Sequence, residues 1–354
     1  MKYYIKSGQE SFYNILMENV VENSDEICFT FCKQNKEKDI KLTRSELLEK
    51  SLNVASELKN RGAAKGDRIV IMSTQSEDNV ISVAASILAG TIFTIIPPPV
   101  DSKKIERFKS VYESCKPRFI LCSGFIYNEI TKIINSIIGD DNDVNVICAD
   151  ECNSHTDFIC ENIGFDDTVY IQYTSGSTSA PKGIEVSYGN ILSAVNSICD
   201  VYKFRRVVGW VPFFHNLGLV YLMMASIVNK RVVAAVISPK DFLENPIIWI
   251  ERLSDFKADV TLAPNSAYEA YPKLVPADKL TDIDLTSLKV MANGSEVVSP
   301  LSLWKFASEY KRFGISTNKF YIGYGLSEAT CGISAGRYDK NNNLMKPFIF
   351  YGGN

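Results

Sequence analysis

Tyr173-Thr174-Ser175-Gly176-Ser177-Thr178-Ser179-Ala180-Pro181-Lys182-Gly183 is the stretch on which the reading of this chain turns. A short apolar run, Val169-Tyr170-Ile171-Gln172-Tyr173, leads into it and reads as a buried strand bounded by turn residues. Five Ser/Thr hydroxyls and Gly176 then crowd together just before Lys182. Backbone N–H groups, hydroxyls and one cation are together what a polyphosphate needs. Glycine allows close approach of the backbone to an anion, and Pro181 stiffens the presentation of Lys182. The plain alternative is a solvated Ser/Thr-rich linker, against which the preceding strand and the Pro-Lys-Gly ending both count. The common phosphate loop, G-x-x-x-x-G-K-[ST], is absent from the sequence.

Working outward, the pattern alternates. Thr43-Arg44-Ser45-Glu46 is a capping box opening a helix with Leu47, Leu48, Val54, Ala55 and Leu58 on one face, ended at Gly62. Strand Arg68–Met72 follows, then helix 78–89, strand 91–96, helix 103–115, strand 118–122, a helix near 126–138 and strand 144–148. The first forty residues read only as a peripheral helix and an irregular hairpin. Beyond the Ser/Thr-rich loop, Ser187 caps a helix to Tyr202, and strands fall at 207–211, 231–236, 260–263, 288–292 and 320–324. Strands separated by helix-length segments predict right-handed crossovers and parallel sheets covered on both faces. The polar stretch 149–167 sets the expected boundary, giving one α/β subdomain over 1–165, a second over 166–337, and the start of a further module over 338–354.

With 46% hydrophobic residues in 354, the chain can bury a sizeable core. A net charge of −3 gives no basic footprint for nucleic acid. Two long uncharged stretches, Val80 to Val100 and Val207 to Asn229, are broken by Gly90, Pro97–Pro99, Pro212 and His215. A spanning helix wants ~20 apolar residues without such breaks, so integral membrane association is not expected. Nine cysteines, mostly in apolar runs, read as reduced thiols of a cytoplasmic protein. Cys148, Cys152 and Cys160 with His155 invite comparison with a zinc site, but no C-x-x-C pair is present.

Four stretches in order carry a family resemblance: the loop above, Gly209-Trp210-Val211-Pro212-Phe213-Phe214-His215-Asn216-Leu217-Gly218-Leu219, Ala263-Pro264-Asn265-Ser266-Ala267-Tyr268-Glu269, and Tyr324-Gly325-Leu326-Ser327-Glu328-Ala329-Thr330. From about Phe12 to Arg337 the sequence resembles the adenylate-forming enzymes, the superfamily of acyl-CoA synthetases, luciferases and peptide-synthetase adenylation domains. Within it the wording is most similar to fatty acyl-AMP ligases. The resemblance implies two parallel-sheet α/β subdomains of the family's N-terminal domain, without the C-terminal lid domain. It implies ATP and Mg²⁺ as cofactors, a fatty acid as substrate, and an acyl carrier protein or CoA as acceptor.

By the same resemblance Thr174, Ser175, Gly176, Ser177, Thr178, Lys182 and Gly183 hold phosphate, and Asn293-Gly294-Ser295-Glu296 forms the adenine turn. Tyr324 and Gly325 lie against adenosine, Ser327 contacts the α-phosphate, and Glu328 binds the metal. His215, with Lys182 and Glu328, sits nearest the chemistry; Trp210, Phe214 and Asn265 line the acyl side. An ordinary strand-to-helix turn at Asn293–Glu296 and a buried, hydrogen-bonded His215 are the plain alternatives, and core packing is the plain use of the aromatic residues. Many relatives have threonine at position 327, acyl-AMP ligases often have alanine, and most such ligases have aspartate where Asn216 stands. In this family a ribose-binding aspartate, a hinge and a lysine-bearing C-terminal domain follow the Tyr-Gly-Leu-x-Glu motif, so the chain is expected to be the N-terminal part of a longer ligase. The rivals are an acyl-CoA synthetase, an amino-acid-adenylating domain, and a non-catalytic nucleotide- or acyl-binding module.

Overall fold

The computed structural model describes residues 11–139, 144–153, 160–174, 181–338 and 346–349. The chain opens with α1 (Phe12–Asn23), β1 (Ile27–Cys32) and β2 (Ile40–Thr43). Next come α2 (Arg44–Asn60), β3 (Arg68–Met72), α3 (Glu77–Leu88), β4 (Ile92–Ile96), α4 (Ser102–Cys115), β5 (Phe119–Cys122), α5 (Gly124–Ile138) and β6 (Asn145–Cys148). β7 (Thr168–Thr174), β8 (Lys182–Ser187), α6 (Tyr188–Tyr202) and β9 (Arg206–Gly209) follow. A π-helical segment, Gly218–Met224, runs into α7 (Ala225–Val228). The remainder is β10 (Val233–Ile237), α8 (Pro239–Glu244), α9 (Ile247–Asp255), β11 (Val260–Ala263), α10 (Asn265–Leu274), β12 (Val290–Asn293), α11 (Pro300–Glu309), β13 (Phe320–Gly325), β14 (Gly332–Arg337) and β15 (Lys346–Ile349).

Two compact units result. Residues 1–26 and 42–191 form the first; 27–41 and 192–354 form the second. The division differs from the expected boundary at 165/166 because β7 continues the first sheet, pairing with β4 through Phe93 and Tyr170. The change-over therefore falls inside α6. The early hairpin is not peripheral either. β1 is an apolar, largely buried strand paired in parallel with β10, from Phe29 against Ala234 to Cys32 against Ile237.

The first unit holds a six-stranded sheet in the order β6-β5-β3-β4-β7-β8, parallel except where β8 turns back on β7. Its capping box forms as the sequence predicts. The Thr43 N–H donates to the Glu46 carboxylate at 2.8 Å, and the Glu46 N–H returns to the Thr43 hydroxyl at 3.2 Å. That backbone donor holds the Glu46 carboxyl below its usual range. α3 is buried from Asp78 to Leu88, which accounts for the uncharged run starting at Val80 as core. Among the described residues no helix is long and apolar enough to cross a membrane.

The second unit holds a nine-stranded sheet, β15-β14-β13-β12-β11-β9-β10-β1-β2, with β14 and β15 antiparallel at its end. Those last strands were not evident in the sequence pattern. An aromatic cluster of Trp249, Tyr268, Tyr271, Phe306, Tyr310 and Phe320 fills its core. The Trp249 Nε1–H donates to the Thr261 hydroxyl at 3.0 Å, which passes on to the Val208 carbonyl at 2.8 Å, so the buried polar atoms are satisfied.

An ion pair ties the chain's start to this core. Arg252 of α9 donates to both Asp39 oxygens, at 2.7 and 2.8 Å, and to the Lys33 carbonyl at 2.6 Å, with both side chains buried. Removing one partner of such a pair leaves a buried charge uncompensated. Asp39→Ala is therefore expected to destabilise the protein by about 3–5 kcal/mol. Urea denaturation checks it, and a shift under about 1 kcal/mol would mean that the pair behaves as a surface contact.

Candidate active site

Two antiparallel strands flank the Ser/Thr-rich stretch. Thr174 ends β7 and Lys182 begins β8, and the two are direct partners in the antiparallel ladder, with Gly183 opposite Tyr173. Thr174 is half-buried and Lys182 exposed. The strand that follows the loop was missed in the sequence, where only the helix capped by Ser187 was expected. That cap forms, the Asn190 N–H donating to the Ser187 hydroxyl at 3.2 Å. Ser175, Gly176, Ser177 and Thr178 lie outside the described residues.

In the second unit, β12 and β13 run parallel with Asn293 opposite Ile322, so the turns that follow them emerge at one edge. Ligands bind at this carboxyl edge in open parallel sheets. Gly294 is buried, and a Cβ there would stand 3.1 Å from the Gly323 carbonyl oxygen. Gly325 is tighter still: a Cβ would meet the Cys331 carbonyl oxygen at 1.8 Å, where the β13–β14 register shifts. Two non-glycine residues in these turns take left-handed backbone angles, Ser295 at φ +74° and the β-branched Thr330 at φ +68°. Such conformations cost about 1–3 kcal/mol each and cluster where function requires them.

Asn293 is buried at the end of β12. Its amide donates to Asn265 Oδ1 at 3.4 Å, and that oxygen also accepts from the Ser299 N–H at 3.0 Å. Asn265 thus clasps the turns before α10 and α11, a role the sequence motif did not suggest. Glu296 is exposed and its carboxylate accepts from the Ser266 N–H at the start of α10. Glu269 points outward, accepting from the Ser302 hydroxyl at 3.2 Å.

Tyr324 is 64% exposed, so its ring is not part of the core. Glu328 is exposed beside it in sequence, and Ser327 is half-buried. Asn216 donates to the Ser327 hydroxyl at 3.3 Å, so two motifs separated by more than a hundred residues meet within this unit. The remaining amide oxygens of Asn216 and Asn293 are buried without a hydrogen-bond partner. Buried acceptors are seldom left so. Glu328 supplies a hard oxygen ligand of the kind magnesium takes alongside phosphate and water. Among the described residues no group of three acidic, His or Cys side chains is placed to hold a metal. Cys148, Cys152 and Cys160 are neutral free thiols, burial pushing Cys152 up to about 11; His155 lies outside the described residues.

Trp210 takes the plain reading. It stacks on Phe242 at 4.0 Å with rings 3° from parallel, edge-on to Trp249, and its Nε1 is buried without a partner. Phe214 is half-buried. His215 is exposed, not buried as the apolar run suggests. Its Nδ1 accepts from the Leu217 N–H at 3.2 Å, which leaves the proton of the neutral ring on Nε2.

Residues 16–348 match the family described as AMP-binding enzyme. The chain belongs to that family. It is 30% identical over 335 residues to a long-chain-fatty-acid–AMP ligase of Mycobacterium tuberculosis, across 90% of this chain and 57% of the relative. A fatty acyl-adenylate ligase from L. pneumophila, solved in complex with acyl adenylate and pyrophosphate, superposes with a TM-score of 0.83 at 26% identity, over 92% of this chain and 57% of that one. The A-PCP structure of McyG with phenylalanyl-adenylate shares the fold at a TM-score of 0.85 and 19% identity, covering 97% of this chain and 54% of that one. This AMP-binding enzyme chain spans about half the length of the relatives it matches. Its two α/β units and parallel sheets are those the sequence resemblance implies.

Although His215 is exposed as a residue, the apolar groups crowded around its ring desolvate it and lower its proton affinity below that of an ordinary histidine. As pH falls, the unfolded chain takes up this proton before the folded one, so stability declines through the window between the two pKa values. The expected NMR titration of His215, in an His155→Gln background that removes the only other histidine, has its midpoint below the ~6.5 of an unperturbed ring. A midpoint at or above that value would remove the burial effect.

Proposed function

We propose that this chain supplies the nucleotide-binding part of a ligase that activates a fatty acid as its acyl-adenylate. In the reaction the carboxylate attacks the α-phosphorus of ATP in line; the new C(O)O–P bond forms as the bond to pyrophosphate breaks. Such transfers need little covalent help from protein groups, so catalysis rests on positioning and charge neutralisation. On the motif resemblance alone, the segment that Thr174 and Lys182 flank is assigned to the departing phosphates. Gly294 and Tyr324 receive adenosine, and Ser327, its hydroxyl oxygen occupied by the Asn216 amide, is left to donate its proton to an α-phosphate oxygen. Glu328 would hold Mg²⁺, which when bound neutralises phosphate charge. His215, neutral with its proton on Nε2, is a donor for the incoming carboxylate. Asn265 acts by positioning Asn293 rather than by touching the acyl chain. The acyl group then passes to a thiol of an acyl carrier protein or of CoA.

The observation that carries this reading is the exposed Tyr324 ring at the same strand edge as the buried Gly294 turn. An aromatic face there suits a purine base. The similarity to the fatty acyl-adenylate ligase solved with acyl adenylate and pyrophosphate supports the same substrate class.

Lys182→Ala is expected to weaken Mg·ATP binding by about 1.5–3 kcal/mol, the worth of a charge-assisted contact. Calorimetry that finds unchanged affinity would remove Lys182 from the site. The choice of acid is tested by ATP–pyrophosphate exchange with fatty acids of increasing length against free amino acids. Each buried methylene adds ~0.8 kcal/mol, so roughly four-fold in affinity per carbon is expected until the pocket is full. A flat response, or a preference for an amino acid, would defeat the fatty-acid reading and leave adenylation standing.

A further inference from the structure

We propose that the opposite, amino-terminal side of the second sheet carries a separate site for a polyvalent phosphorylated anion. A cavity of about 830 Å³ opens where α6 ends and where β12 and β13 begin. It lies at the other end of these strands from Gly294 and Tyr324. Its volume falls within the range of small-molecule sites.

Charge is what distinguishes it. Lys203, Lys289, Lys319 and Arg337 line the cavity with Asp200 as the one lining carboxylate, while Asp259 and Asp284 act from outside it on Lys289 and Lys319. Lys289 comes only to 3.9 Å of Asp259, and among the described residues Lys203, Lys319 and Arg337 have no ion-pair partner. A solvated basic surface would place these cations on free side chains. Here two of them are anchored. The Lys319 ammonium donates to the carbonyls of Leu285 at 3.1 Å and Thr286 at 3.4 Å, and burial lowers its proton affinity. Arg337 spends its Nε–H on the Asn318 carbonyl at 2.7 Å, which leaves the two terminal nitrogens of its fork for an anion. Lys203 is held in the left-handed region at φ +48°, directly after α6. Tyr321 adds a half-buried ring braced edge-on by Tyr202 at 5.4 Å.

Prepositioned cations lose little freedom on binding, so their attraction goes to the ligand. Lys203 and Arg337, which no described carboxylate pairs, match an anion with two phosphate charges. The tyrosine wall suits an organic portion attached to them.

The test is calorimetry with inorganic tripolyphosphate, on the unaltered protein, on Lys182→Ala, and on the double variant Lys203→Gln/Arg337→Gln. The expected result is one site that persists in Lys182→Ala, weakens with added salt, and loses about ten-fold or more in affinity in the double variant. Circular dichroism checks folding; should loss of the Asn318 contact unfold the double variant, Lys203→Gln alone is expected to weaken binding several-fold. No binding to the unaltered protein, binding abolished by Lys182→Ala, or binding undiminished in the folded Lys203 and Arg337 variants would overturn the proposal.

Discussion

Parallel pairing of β12 with β13 is the constraint on which the second unit's site depends. Because Met291, Ala292 and Asn293 face Phe320, Tyr321 and Ile322, both strands release their chains at one edge and at nearly one level. Where β12 ends, a Cβ at position 294 would press on the Gly323 carbonyl of β13, and glycine stands there. Ser295, just after β12, and Thr330, just before β14, take left-handed angles. Strain of that kind persists only where the surroundings over-determine it. The support lies beneath: Tyr268 donates to the Ala292 carbonyl at 3.1 Å, and its ring meets Phe306 and Phe320 edge-on. A rigid aromatic floor thus holds two turns in a shape that neither sequence segment would choose alone.

Where local chemistry decides the structure, the sequence was readable. The Thr43–Glu46 box, the Ser187 cap and the strand Val260–Ala263 all follow from residues within one turn or one strand of each other. Where a distant partner decides, it was not. β1 carries only Ile27-Cys28-Phe29-Thr30-Phe31-Cys32, too short for periodicity to speak; its place beside β10 is a tertiary fact. β8 escaped notice because Lys182–Ser187 is mostly exposed and follows a loop rich in turn formers, so it reads as more loop.

The candidate site divides along the same line. Its motifs locate the strand ends, since glycine and a polar residue after an apolar run mark an edge in any parallel sheet. What each polar side chain does there depends on neighbours brought from elsewhere. Asn265 looks like a ligand contact until Ser299 and Asn293 are found on its oxygen. Asn216 looks like a lost charge until Ser327 is found against its amide. Trp210 lies within a motif, yet Phe242 and Trp249 claim its ring.

The buried Arg252–Asp39 pair has a consequence in time. Its partners are 213 residues apart, and the first unit's sheet lies between them in the chain. At ~5–20 residues per second of synthesis, β1 waits roughly 10–40 s for the helix and strand that complete it. Through that interval an apolar strand edge and an unmatched carboxylate leave the ribosome together. Asp39 then acts as a gatekeeper: a charge beside a sticky segment discourages mispairing until Arg252 arrives to neutralise it.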